Sequence, residues 1–368
     1  MGKFLKSPVL EISLMLILII VGYIAMGLIS GGIDTPDDGM SAGAITMVLA
    51  GFFLLSFVIA LIAVIAGIGG GVIFTPIMLA FTDVNSLIVR ATGLIVAMFS
   101  GLVSTGPFMK RGLANLKLCI LLASAYGIGA FLGATGAILM ADSMGEAGEA
   151  IVRLALGGIV ICIAGYFVWG GTKMEWPEVG KVDNFTRKLG IPMPYYEESM
   201  GKVMNYEITR AAGGMGAIVV VGLLSGFFGM GGGWAAVPAM NMVMCVPLKV
   251  AAACSGVLLG MGDCIAVWPY LLKGAIIPLF AAPWLVGQVL GGITGAHLLI
   301  KIKAGFVRFI LIGLLFFTSF ALITKGLYKL DVIGEVPIAV NGGVFLVIII
   351  LVVLAIMGKL PNPMRRSS

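Results

Sequence analysis

Long apolar runs alternate with short polar connections along this chain. Uncharged stretches at Ile12–Ile29, Ala42–Ala66, Leu118–Met140, Leu154–Gly171, Phe309–Thr324 and Ile338–Met357 approach or reach the roughly 20 residues that carry a helix across a bilayer core. The pattern predicts further helices over Ser86–Met109, Ala150–Gly171, Val250–Leu272, Ala275–Ile300 and Phe306–Thr324. Leu10–Ile29 has the look of a signal peptide, but its apolar run is too long and no small-residue cleavage site follows, so it is read as a retained helix.

Two places break the pattern. GIGGG at Gly67–Gly71 and GMGGG at Gly229–Gly233 lie inside apolar runs, and each is followed by a proline, Pro76 and Pro238. After Gly71 only about 12 apolar residues remain before Asp83. At about 1.5 Å per residue they span roughly 18 Å, short of a core about 30 Å thick. A broken hairpin entering and leaving on one side is the simplest reading of each cluster.

The two clusters stand 162 residues apart, and the same shift aligns much more. It places Gly67, Gly69, Gly70 and Gly71 on Gly229, Gly231, Gly232 and Gly233. It also places Pro76 on Pro238, Met78 on Met240, Ala91 on Ala253, Pro107 on Pro269, Gly112 on Gly274, Gly129 on Gly291 and Gly133 on Gly295. Charge then separates the copies. Putting 18 of the 23 Lys and Arg residues on one side satisfies the positive-inside rule, with both termini inside. Arg90, Arg153, Lys273, Lys325 and Lys329 are left outside. Arg111 falls inside and its counterpart Lys273 outside, so the units run in opposite senses, as inverted repeats do in secondary transporters.

The expected fold is therefore an all-α polytopic membrane protein of two inverted-topology repeats. Each repeat is a broken re-entrant hairpin plus three transmembrane helices, with one extra helix at each end. The expected divisions are an N-terminal helix and acidic outer loop (1–42), repeat 1 (43–171), a cytoplasmic loop (172–210), repeat 2 (211–325), and a C-terminal helix with a basic tail (326–368).

Composition sharpens this picture. Of 368 residues 60% are hydrophobic and 11% charged, too apolar for a soluble domain. The net charge of +6 follows from topology, so no nucleic-acid partner is expected. The five cysteines (Cys119, Cys162, Cys245, Cys254, Cys264) have no CxxC spacing, which argues against a disulfide framework and a metal site. No nucleophile–base pair or Walker loop is present. GxGGG lacks the βαβ context of a dinucleotide fingerprint. No enzyme activity and no cofactor are expected.

The candidate chemistry is that of an anion site. A half-helix starting after Gly71 or Gly233 aims free N–H groups and a positive dipole end inward. Close small-residue packing of helices is the alternative reading of the glycines. Thr75, Thr92, Ser104, Thr105 and Ser255 offer hydroxyls, each of which can instead bond its own helix. Trp234 follows the second glycine cluster and is a candidate cavity wall. Trp176, Trp268 and Trp284 read as interfacial anchors. Asp263, the one acid placed within a membrane helix, is a candidate proton carrier, with pairing to Lys273 as the structural alternative. Arg90 and Lys249 flank the two hairpins and are either guides for an anion or ordinary loop charges. His297 reads as interfacial.

GIGGGVIFTP and GMGGGWAAVP resemble the paired motifs of the TauE/SafE (sulfite exporter) family. So do the sites that follow, RATGLIVAMFSG with a later proline and KRG, and AAACSGVLLGMGD with WPYLLKG. The resemblance spans most of the chain except the N-terminal helix and the Gly171–Arg210 loop. It implies multi-pass residence in a prokaryotic inner membrane and export of sulfite, an organosulfonate or a related small anion. The inner loop of about 40 residues departs from a compact member of the family, and within this chain Cys254 stands in the second repeat where the first has Thr92, so the two halves need not contact substrate equally.

The expected substrate-binding residues are Gly69, Gly70, Gly71, Thr75, Thr92, Gly93, Gly231, Gly232, Gly233, Trp234, Cys254 and Ser255, with Asp263 for proton coupling. A small anion and lipid are the expected partners, and a homo-oligomer is compatible with them. The alternatives are an anion channel of the same fold and a thiol-dependent sulfur carrier using Cys254 and Cys264.

Overall fold

The computed structural model describes residues 41–66, 70–110, 112–168, 177, 181–191, 193–197, 202–299, 304–337 and most of 340–350, together with Ile17 and Val21. The N-terminal helix, Gly67–Gly69, Trp176 and the basic C-terminal tail lie outside these residues.

Apolar runs fold as helices because every backbone N–H and C=O must be bonded internally where water is absent. In order they are α1 (Ala42–Ala66), α2 (Gly71–Phe81), α3 (Ser86–Lys110) and α4 (Leu116–Val168). After the connecting segment come α6 (Ala211–Phe228), α7 (Gly233–Pro238), α8 (Leu248–Leu272), α9 (Pro278–Leu299) and α10 (Ala304–Lys329). A π-helical turn, Ala239–Val243, continues α7. Six of these helices are long and apolar enough to cross a membrane among the described residues. Leu54, Ile128, Leu139 and Leu272 point large apolar side chains outward from the bundle, as a lipid-facing surface does. The protein is a multi-pass membrane protein.

At 53 residues α4 is too long for one crossing. Gly145 breaks it with a non-helical backbone (φ 52°, ψ −124°), within the acidic stretch Asp142–Glu149. Charges gather at this kink. Lys273 pairs with Asp142 at 2.7 Å, and Glu149 takes Arg153 at 3.0 Å and Lys329 at 2.9 Å. Arg153 also donates to the Leu79 carbonyl at the end of α2. Lys325 pairs with Asp83 at 2.8 Å and, chiefly by that hydrogen bond, holds its carboxyl below the usual carboxylate range.

The 162-residue register reappears in the element boundaries. α1 and α6 end at Ala66 and Phe228; α2 and α7 start at Gly71 and Gly233; α3 and α8 at Ser86 and Leu248; α4 and α9 at Leu116 and Pro278. Packing across the halves is reciprocal, α4 on α6 and α9 on α1, with α3 on α8 between them. One close contact matches residue for residue. A side chain at Gly129 would strike the Val219 carbonyl, and one at its counterpart Gly291 would strike the carbonyl of Phe57, the counterpart of Val219. These glycines let helix backbones approach closely, as small residues do in membrane bundles.

The connecting segment holds more order than its polar sequence suggests. It contains α5 (Asn184–Leu189) and an antiparallel hairpin of β1 (Tyr195–Glu197) with β2 (Lys202–Met204). Asp183 caps α5 by accepting from the Thr186 N–H at 3.1 Å and hydroxyl at 2.6 Å, and from the Arg210 N–H at 2.7 Å. These bonds, the Thr186 hydroxyl first, lower its pKa from 3.8 to about 2. A depressed pKa in the fold means that the cap's contribution is complete above 3.8 and is lost as pH falls through about 2. Hydrogen-exchange protection of the Thr186 and Arg210 amides should drop across that window. In Asp183→Asn it should be low throughout, and flat protection in the wild type would refute the cap's role.

Candidate functional site

The two glycine breaks meet in the interior. α6 ends because Gly229 and Gly231 adopt positive φ (67° and 71°), a region open to glycine at little cost. The Thr75 hydroxyl of α2 donates to the Gly229 carbonyl at 2.5 Å. Gly71 leaves no room for a Cβ, which would lie 2.7 Å from the Met230 carbonyl oxygen and 2.9 Å from that of Gly93. A Cβ on Gly93 would run into the Gly229 carbonyl and the Thr75 hydroxyl. Close packing, the alternative reading of the glycines, is therefore part of their work at Gly71 and Gly93.

Polar groups surround each break. Beside the second, Asp263 of α8 is fully buried. Its Oδ1 lies 2.7 Å from the Tyr126 hydroxyl and 3.2 Å from that of Ser225, which are themselves 2.7 Å apart. Two hydroxyl protons thus serve three oxygen–oxygen contacts. One further proton on the carboxyl lets all three carry a hydrogen bond. Oδ2 has no hydrogen-bond partner among the described residues and lies 3.7 Å from where a Gly231 Cβ would stand. A buried carboxylate without a cation is costly to keep ionised. Lys273 does not supply that cation, because it reaches Asp142 instead. Asp263 sits on unbroken helix, α8, among side chains.

Beside the first break the partner is Gln288 of α9. Its carboxamide atoms are the nearest neighbours of a Cβ built on Gly70, close enough to collide. Gln288 is 1% exposed, and neither Nε2 nor Oε1 has a partner among the described residues. Gly70 caps α2 and donates its N–H to Ser100 Oγ at 3.4 Å. In the 162-residue register Gln288 is the counterpart of Tyr126, and Gly70 of Gly232. Tyr126 sits on Gly232 as Gln288 sits on Gly70, with its ring 2.6 Å from a Gly232 Cβ. Neither Tyr126, Ser225 nor Gln288 stands out by motif. The register, applied to the few polar residues within apolar helices, is the signal that finds Gln288 from Tyr126.

The remaining expected residues divide. Thr75, Gly93, Gly231, Gly232 and Gly233 lie at the meeting of the breaks, and Gly69 lies outside the described residues. Thr92 is buried, and its hydroxyl has no hydrogen-bond partner among the described residues. Trp234 is half-buried against the cluster around Phe74 and Trp284, and its indole N–H has no partner among the described residues. Cys254 faces Asn115, whose backbone N–H approaches its Sγ at 3.4 Å. Asn115 in turn reaches the Ile191 carbonyl and the Tyr206 hydroxyl of the connecting segment. Ser255 and Thr105 bond their own helix backbones, at Ala252 and Gly101. The side chains of Ser104 and His297 lie outside the described residues.

Two expectations are corrected. Arg90 is no loop charge. It is 1% exposed, donates to the Phe227 carbonyl at 3.2 Å and to Ser86, and lies over the Phe227 ring at 5.8 Å. It clamps the end of α6 just before Gly229, where helix carbonyls lack internal partners. Trp284 is not an interfacial anchor, because it is fully buried, with Phe74 edge-on at 4.5 Å and Phe52 stacked at 5.4 Å.

Residues 52–322 match the family model described as "Sulfite exporter TauE/SafE". A Bacillus subtilis (strain 168) protein described as "Probable membrane transporter protein YunE" is 25% identical over 289 residues, 75% of this chain and 99% of that protein. No solved structure matches.

Proposed function

We propose, since the chain belongs to the sulfite exporter TauE/SafE family, that it is a secondary transporter of a small sulfur-containing anion. Sulfite or an organosulfonate is moved outward across a prokaryotic inner membrane by alternating access, with Asp263 carrying a coupled proton. The observation that carries this reading is the meeting of the two glycine breaks beside a fully buried carboxylate with no cation paired to it among the described residues. Intramembrane acids are costly and mark ion pathways and proton relays.

The two halves act as inverted repeats. In support of this, element starts keep the 162-residue register and the interfaces are reciprocal. Arg153, Lys273, Lys325 and Lys329, all left outside by the charge rule, pair with Glu149, Asp142 and Asp83. Alternating access is then rocking of one unit against the other around the shared site. A thiol relay has little support, because Cys254 is buried and Cys264 exposed on α8.

The reading is tested by sulfite flux in proteoliposomes of the full chain under an imposed pH gradient. Thiosulfate, sulfoacetate, taurine and carboxylates serve as competitors. Sulfur oxyanions and organosulfonates should compete and simple carboxylates should not.

A further inference from the structure

The two breaks offer equivalent places, and their chemistry differs. Beside Gly232 stand Tyr126 and the Asp263 carboxyl. Beside Gly70 stands the neutral carboxamide of Gln288, and the counterpart of Asp263 is Gly101, which has no side chain and packs on the Gly256 carbonyl at 2.5 Å from its Cβ position. A carboxylate repels an anion, whereas an amide N–H attracts one. The helix ends differ as well. α2 runs for 11 residues from its buried start, while α7 runs for six before passing into a π turn. The aligned dipoles and first-turn N–H groups thus favour α2. Gln288 is the second, independent sign of a ligand. A buried amide with neither donor nor acceptor satisfied is costly unless something fills the role.

We propose that the transported anion is held at the N-terminus of α2 with the Gln288 carboxamide as its side-chain ligand, while the equivalent place beside Gly232 serves the proton. This rests on the transporter reading and adds a division of labour between the halves. The first-turn N–H groups of Gly71 and Val72 and Nε2 of Gln288 are donors to the anion's oxygens. All of these donors are neutral. They suit a singly charged oxyanion and leave the second charge of a dianion uncompensated in a buried site. A monoanionic sulfonate is therefore preferred over sulfate.

The test is equilibrium binding of methanesulfonate, sulfite and sulfate to the purified full chain in detergent, with thermal unfolding measured on the same samples. The wild type should bind methanesulfonate more tightly than sulfate. Gln288→Met should weaken methanesulfonate binding about ten- to a hundredfold, the loss expected for one hydrogen bond to a charged group. Gln288→Glu, which places a carboxylate against the anion, should abolish it. Gly51→Ala, whose added methyl has nothing within 4 Å, should leave it within about threefold, since a difference that small is well under one such hydrogen bond. The proposal is overturned by wild-type binding that survives both Gln288 variants, by an equal loss in Gly51→Ala, or by tighter binding of sulfate. If either Gln288 variant fails to fold, the other decides. A wild type that binds neither methanesulfonate nor sulfite overturns the transporter reading as well.

Discussion

Asp263→Asn is expected to give a folded protein whose anion flux no longer follows a proton gradient. Asparagine keeps the shape of the carboxyl and can still bond Tyr126 and Ser225, which lie 2.7 and 3.2 Å from Oδ1. It cannot take or release a proton. Burial of an unpaired carboxylate costs several kcal/mol, so the neutral side chain should leave thermal stability equal or higher. With one proton per anion, a gradient of one pH unit drives about tenfold accumulation. The variant should show exchange without accumulation. Accumulation equal to that of the wild type would remove Asp263 from the coupling step.

Gly93→Ala is expected to damage the fold at its centre. The added methyl meets the Gly229 carbonyl and the Thr75 hydroxyl, and neither can yield without parting α2 from the second break. Overpacking of this kind costs about 1–3 kcal/mol, and loss of the Thr75–Gly229 hydrogen bond adds about 1 kcal/mol. Thermal unfolding should fall and flux should be lost together. Gly70→Ala behaves differently, because the three atoms nearest its methyl all belong to the movable Gln288 carboxamide. That variant should keep its unfolding temperature and lose anion binding. Gly51→Ala, with nothing within 4 Å, is the silent control. Equal unfolding temperatures for Gly93→Ala and Gly51→Ala would contradict the close crossing.

The legible and illegible parts of this chain differ in physical kind. Helix breaks were legible because glycine runs and short apolar remnants violate the length that a bilayer demands. Their register was legible because prolines and glycines recur at one spacing, and the element starts at Gly71 and Gly233, Ser86 and Leu248 follow it. Partnerships were not. Arg90 and Lys273 look alike as charges near helix ends, yet one is buried against the Phe227 carbonyl and the other reaches Asp142. Tyr126, Ser225 and Gln288 are single polar residues in apolar helices, a pattern shared by interfacial and packing positions. Only the fold brings them to the glycine breaks. Trp284 went the same way, an apparent anchor that packs inside against Phe74.

The most direct measurement of the central claim is sulfite flux into and out of proteoliposomes containing the wild-type chain, with a pH gradient imposed in either direction. A coupled carrier predicts saturable accumulation against the sulfite gradient, reversed when the pH gradient is reversed and absent when it is collapsed. Sulfite that only equilibrates down its own electrochemical gradient, whatever the pH difference, would contradict it and identify a channel.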